Sequence, residues 1–273
     1  MIKTNLARLL FAAFLASFAF TAPANAETGE TLRKLHDMRL NTLGILSDYF
    51  MYSGLEGDSK YSRQMEVAIK SFETQLSELT RGNEIDAAST ANVINAWQEY
   101  KKLLDTNRAD FKVRGYADTR LVDELSKDAL ALSKTIEKAY ENQKSSKKYT
   151  VSEWTENCRE MAIIIQTITA EYAARSTSNL GQVFMGNISE GGMDKQAERF
   201  NVLLAKVQKA PAGDANISKL LDQVLVKWEF ISRSIKNYNE NAVPFIVNTY
   251  GERIATNLET IGDFYNQSLQ AKR

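Results

Sequence analysis

The chain has 273 residues, with 34 Lys and Arg against 34 Asp and Glu, one His and one Cys. That balance removes any electrostatic case for nucleic acid or an anionic membrane surface as partner. A single His excludes His-rich zinc or haem sites and any Ser-His-Asp triad that does not use His36, and a lone Cys158 has no partner for an intrachain disulfide.

Residues 1–26 open with the basic Lys3 and Arg8 around polar residues, continue through the apolar run Leu9 to Phe20, and end in Ala24-Asn25-Ala26. Basic start, short apolar core and small-x-small end describe a secretory signal cleaved after Ala26, and Pro23 stands just before the cleavage motif. The apolar run falls short of the roughly 20 residues needed to span hydrocarbon, and no second long apolar run follows. The expectation is a periplasmic protein whose mature part, residues 27–273, does not insert into a membrane. No Cys near the cleavage site argues for a lipid anchor.

Downstream, apolar residues recur at three- and four-residue spacing, Pro is confined to Pro211 and Pro244, and Gly clusters at a few points. This is a helical pattern. It predicts helices near 28–54, 59–81, 86–112, 116–143, 152–187, 192–209, 215–240 and 244–270. Asp58 and Asp86 are suited to cap the second and third helices, and Thr150-Val151-Ser152-Glu153 reads as a capping box opening the fifth. The Gly54 to Gly57 segment, Arg81-Gly82-Asn83, Glu190-Gly191-Gly192 and Pro211 to Asp214 mark turns. The polar stretch Lys144 to Lys148 divides the chain into two units, 27–146 and 147–273.

Each unit carries four helices in one order, and particular residues agree between them. Met65, Phe72 and Leu76 align with Met193, Phe200 and Leu204; Trp97 aligns with Trp228; Ile136 and Tyr140 align with Ile261 and Tyr265. An internal duplication accounts for the agreement at aromatic positions, which chance alignment of apolar stripes does not. Four amphipathic helices with short connections pack most simply as an antiparallel up-down bundle. The fold class expected is therefore all-α, two tandem four-helix bundles with Phe72, Trp97, Phe200 and Trp228 as core anchors.

Catalytic chemistry is poorly represented. Carboxylates lie along solvated faces, neither Glu-x-x-His nor Cys-x-x-Cys-His occurs, and no metal or cofactor is implied. Cys158 reads as a buried, inert thiol, with an intermolecular disulfide as the other reading. The seams of the two long helices are more informative. One runs through Leu32, Leu35, Arg39, Thr42, Leu46 and Tyr49; the other runs through Trp154, Cys158, Met161, Ile165, Ile168, Tyr172, Arg175 and Asn179. An Arg on an apolar seam must pair with a carboxylate, snorkel to water or face an anionic ligand. The last option makes Arg39, Arg175 and the seam residue Tyr172 candidate ligand contacts where two long helices meet.

A signal-led chain with two four-helix units, each opening on a long helix and bearing a Trp on its third, resembles the N-terminal periplasmic sensing domain of type IV pili methyl-accepting chemotaxis transducers. The Arg-Gln-Arg-Met-like stretch typical of that family falls here on Met38-Arg39-Leu40-Asn41 and on Arg159-Glu160-Met161, so Arg39 and Arg159 carry over and the Gln does not. Transducers continue into a membrane helix and a cytoplasmic coil, whereas this sequence stops at Arg273. The resemblance thus implies a free-standing sensing or adaptor protein without enzymatic activity, taking a small anionic ligand, an envelope or inner-membrane protein, or both. A homodimer is compatible with it. The alternative is a cell-envelope structural or assembly factor acting only through protein contacts.

Overall fold

The computed structural model describes residues 22–116, 118–177, 191–211, 215–237 and 242–271. The signal up to residue 21, Asn179, and the expected helix extensions over 178–187 and 238–240 lie outside the described residues. Among those described there are eight α-helices: α1 Ala22–Gly54, α2 Ser59–Arg81, α3 Ala87–Arg114, α4 Thr119–Ser146, α5 Glu153–Thr177, α6 Gly192–Val207, α7 Ala215–Lys236 and α8 Pro244–Gln270. None of them is long and apolar enough to cross a membrane.

Local chemistry sets most of the boundaries. Asp58 and Asp86 accept from the backbone N–H of Lys60 and Ser89, as their spacing predicts, and Asp118 does the same for Arg120 and Leu121. Three details differ from expectation. The cap of α5 is Ser152, whose hydroxyl accepts from Trp154 N at 3.2 Å, two residues beyond the expected Thr150. At the end of α2 it is Asn83 at φ 48°, and not Gly82, that turns left-handed. Gly115 at φ 78° ends α3 two residues later than the periodicity suggests, because the glycine, not the last apolar residue, stops the helix.

The long helices α1 and α5 are buried on nearly all sides, from Thr42 to Tyr52 and from Cys158 to Ala174 with few gaps. A helix buried all round belongs at the centre of a fold. Helices α2 and α4 pack on α1, α6 and α8 pack on α5, and α3 and α7 complete the outer side by packing on α4 and α8. These contacts are compatible with two tandem four-helix sub-bundles. The two sub-bundles lie side by side: α1 and α5 contact each other along their lengths and run parallel, since Arg39 shares a level with Arg159 while Ser47 and Thr169 both face α8 near Asn248 and Gly251.

Two apolar clusters result, one filled from α1 to α4 and the other from α5 to α8. Each is centred on the same aromatic pair. Phe72 stacks on Trp97 with ring centroids 4.0 Å apart, and Phe200 meets Trp228 at 4.2 Å, where the indole N–H also donates to Asn201 Oδ1 at 2.7 Å. The Phe and Trp residues aligned between the two units therefore pair in the same way in each cluster. The clusters interlock across the central seam, with Ala170, Ala173 and Ala174 of α5 entering the first and Leu40 of α1 entering the second.

Close approach of α5 and α8 depends on two glycines. A Cβ on Gly262 would stand 3.3 Å from Cys158 Cβ, beside the hydrogen bond from Thr155 Oγ1 to Gly262 O. One on Gly251 would collide with Thr169 Oγ1, itself held by Ile165 O at 2.7 Å. Gly251→Ala should therefore lose stability by about 1–3 kcal/mol from overpacking, despite the roughly 1 kcal/mol that Ala gains over Gly within a helix. Urea denaturation of Gly251→Ala, Thr169→Ala and the double variant checks this: most of the loss should be recovered when Thr169 is also shortened. Strict additivity would show that the helices are not in contact there.

Candidate functional site

Where α1 and α5 run together, the apolar seam gives way to one layer of charge. Helix α1 supplies His36, Asp37 and Arg39 within one turn. Helix α4 supplies Glu137 and Tyr140, α5 supplies Glu156 and Arg159, and α8 supplies Glu259 and Asp263. All four helices are needed to build the layer, so it exists only because the two sub-bundles are joined side by side.

On one side lies a pocket of about 310 Å³ between α1, α4, α5 and α6. Arg39, Arg159 and Arg199 reach into it, together with Glu137, Glu156 and Glu160. Two of the guanidinium groups are neutralised there. Arg39 Nη2 is 3.0 Å from Glu137 Oε1, and Arg199 is hydrogen-bonded to Glu160. Arg159 is different. It is 6% exposed and donates from Nη1 to the Tyr140 hydroxyl at 2.9 Å, and no carboxylate among the described residues forms an ion pair with it. Tyr140 passes the polarity on by donating to both oxygens of Glu156, at 3.1 and 3.2 Å, and Lys144 reaches the same carboxylate. Burial above all pushes the Tyr140 phenol up to about 12, so it stays a donor.

On the other side, Asp37 and Glu259 are hydrogen-bonded to each other. Burial, then the neighbouring Asp37 charge, holds Glu259 far above the usual carboxylate range, up to about 8, so at neutral pH Glu259 keeps its proton and donates it to Asp37. Asp37 is raised less: burial lifts it, but Arg33, 2.8 Å away, favours its anion. His36, only 4% exposed, has its Nε2 3.5 Å from Glu259 and without a hydrogen-bond partner. Burial and the charges of Arg159 and Arg39 keep the imidazole neutral well below its ordinary range. Asp37 and Asp263 act on Arg159 through space, while its Nη1 donates to Tyr140 at the pocket.

Of the four residues singled out from sequence, the structure brings Arg39 and Arg159 into this pocket. Arg175 and Tyr172 lie further along α5 and do not line it: Arg175 pairs with Glu171 at 2.7 Å, and the Tyr172 hydroxyl accepts from Val243 N at 2.9 Å. Sequence reasoning passed over Asp37, Tyr140 and Glu259. The adjacency of His36 and Asp37 to the seam residue Arg39 was the available signal for the first of them; Glu259 reads as one more solvated carboxylate until α8 is laid against α1. Cys158 is buried, as expected, and burial pushes its thiol up to about 12. Among the described residues no group of three or more His, Cys, Asp or Glu side chains is placed to hold a metal ion.

Comparison with protein-family models, with curated proteins and with solved structures finds no match for this chain. The fold and the layer of charge define its class: an all-α, multi-helix bundle, consistent with a helical sensor or adaptor module. No family is assigned to it by comparison, so anything narrower rests on the site.

The shared proton makes stability depend on pH in a definite direction. Between the ordinary Glu range and about pH 8 the folded chain holds a proton on Glu259 that the unfolded chain has released, so stability falls as pH rises through that window. His36 acts oppositely, but only below its unfolded value near 6.5. Glu259→Gln keeps a donor toward Asp37 and has no proton to lose. Melting curves from pH 6.5 to 8.5 should show a steeper fall for the wild type than for Glu259→Gln, and parallel curves would rule out the protonated pair.

Proposed function

We propose that this is a non-enzymatic sensing or adaptor protein, exported to the periplasm through its N-terminal signal, that binds a small anion or carboxylate in the pocket at Arg159. One observation carries the reading: a guanidinium 6% exposed, in a 310 Å³ pocket, with a tyrosine hydroxyl as its hydrogen-bond partner and no carboxylate in ion-pair reach among the described residues. A buried guanidinium is costly without a partner, and its planar fork matches a carboxylate or similar oxyanion bidentately. Arg39 and Arg199, already paired at the rim, screen the surrounding glutamates and leave Arg159 as the anchor.

The resemblance to the periplasmic domain of type IV pili chemotaxis transducers supports the same reading, because Arg39 and Arg159 are the two residues it carries over. The single His is buried and neutral, the single Cys is buried with a raised pKa, and neither is poised for nucleophilic or acid–base chemistry. A sensing or adaptor module reports its ligand by touching another protein, here an envelope or inner-membrane partner. Val226 and Phe230, one turn apart on α7, are exposed, with the Phe230 ring 5.5 Å from that of Tyr250, and this strip is a candidate contact face. The same strip favours the second reading, an envelope assembly factor that uses protein contacts alone.

Thermal melts of the chain from Glu27, run against a panel of inorganic anions, carboxylic acids and amino acids, separate the two. A ligand at a hundred times its Kd adds about 2.7 kcal/mol. The wild type should gain Tm with at least one oxyanion, Arg159→Ala should lose the response, and Arg175→Ala should keep it. A flat panel for the wild type would leave the assembly-factor reading in its place.

A further inference from the structure

A second polar layer lies about three turns further along α1, where α1, α2 and α8 meet. Its composition is unusual because its buried unpartnered atoms are all oxygens. Asp48 Oδ1, Tyr61 OH, Gln64 Oε1, Asn248 Oδ1 and Thr249 Oγ1 are shielded from solvent and have no hydrogen-bond partner. Asp48 is 5% exposed and Asn248 1%. Buried polar atoms are almost always satisfied, so five such oxygens on three adjoining helices call for a common cause.

Hydrogen bonds frame the layer and fix how the amides point. Asn248 donates its Nδ2 to Ser47 Oγ at 3.1 Å, and Ser47 is next to Asp48 on α1. One turn along α8, Glu252 Oε1 accepts from Gln64 Nε2, also at 3.1 Å. Both amides thus spend a donor on protein oxygens and leave their carbonyl oxygens unpartnered. Asp48 lies within the fields of Glu252 and Lys60. Lys60 forms no ion pair with it and instead sits 4.7 Å above the rings of Tyr61 and Phe245. Burial, then the Glu252 charge, disfavours the Asp48 anion, which has no positive partner in contact.

What satisfies acceptors of this kind is a positive centre with no acceptors of its own. Carboxylate, amide carbonyl and hydroxyl oxygens without nitrogen or sulfur are the ligands of hard cations, and Ca²⁺ takes six to eight of them in flexible geometry. Zinc-like sites use His and Cys, which are absent from this layer. We propose that α1, α2 and α8 hold a hard cation, Ca²⁺ in the first instance, with Asp48 as its central carboxylate and Asn248, Gln64 and Glu252 as neighbouring oxygen donors. Because the three helices come from both halves of the chain, the ion would tie the sub-bundles together at a level separate from the Arg159 pocket.

The test uses the chain from Glu27, washed with chelator and titrated calorimetrically with CaCl₂, and in parallel with MgCl₂, NaCl and KCl, with melts at each end point. Saturable Ca²⁺ binding and a Tm rise of roughly 5–10 °C at a hundred times Kd are expected. Asp48→Asn should abolish both; if that variant does not fold, Asn248→Ala serves in its place. Saturable binding of one of the other cations instead, lost in the same variants, keeps the site and changes its ion. No saturable response to any of the four cations in the wild type, or an undiminished response in the variants, overturns the proposal. Arg159→Ala should bind Ca²⁺ like the wild type, so failure of the anion pocket leaves this result standing.

Discussion

The structure depends on how a buried guanidinium is tolerated between two parallel helices. Arg159 sits on α5, a helix buried on nearly every side, at the level where α1 supplies His36, Asp37 and Arg39. Removing such a group from water costs several kcal/mol unless charge and hydrogen bonds compensate. Compensation here comes from the surrounding elements: a tyrosine hydroxyl on α4 and the fields of Asp37 on α1 and Asp263 on α8. None of these partners is local in sequence, so the layer requires that both sub-bundles be formed and joined.

The same layer resolves a problem of register. Two long apolar helices lying side by side could slide past each other by a turn, since one greasy face meets another almost as well one turn away. Polar layers remove that freedom, because each misaligned register leaves buried charges and amides unmatched. The Arg159 layer sets α1 against α5, and the Asp48 layer, about 16 Å further along α1 at 1.5 Å per residue, sets α1 against α8. Between them, Ala170, Ala173 and Ala174 let α5 approach the first core, while Gly251 and Gly262 do the same for α8 against α5. Small residues set the distance and polar residues set the level.

Helices and their order were legible in the sequence because they rest on short-range periodicity, and so were the Phe72–Trp97 and Phe200–Trp228 core pairs. Cap positions were legible where one Asp precedes a helix. They were less so at Asn83 and Ser152, where neighbours of similar propensity competed. Two of the four residues singled out lie in the site: Arg39, because it breaks an apolar seam and a seam break is a local signal, and Arg159, because the resemblance carries it over. Glu259 could not be found that way. Its heptad neighbours are ordinary, and burial, then Asp37, raises its pKa only once α8 is packed in place. Arg175 broke a seam as well, but Glu171 one turn earlier neutralises it, which an inspection of i,i+4 pairs would have caught.

Arg159 also joins the pocket to the proton. Its positive charge faces the open side through its N–H donors and the acid pair through its field, and it lowers the cost of ionising Glu259, Asp37 and Asp263 together. An anion seated at Arg159 under the proposed function would add negative charge near the same carboxyls and offset part of that field. Glu259 would then hold its proton more tightly, and by reciprocity the protonated pair would favour the anion. The coupling passes through one side chain and requires no movement of a helix. It places the consequence of ligand binding at the contact between α1 and α8, so a signal raised in the pocket would be felt in the seam that holds both sub-bundles together.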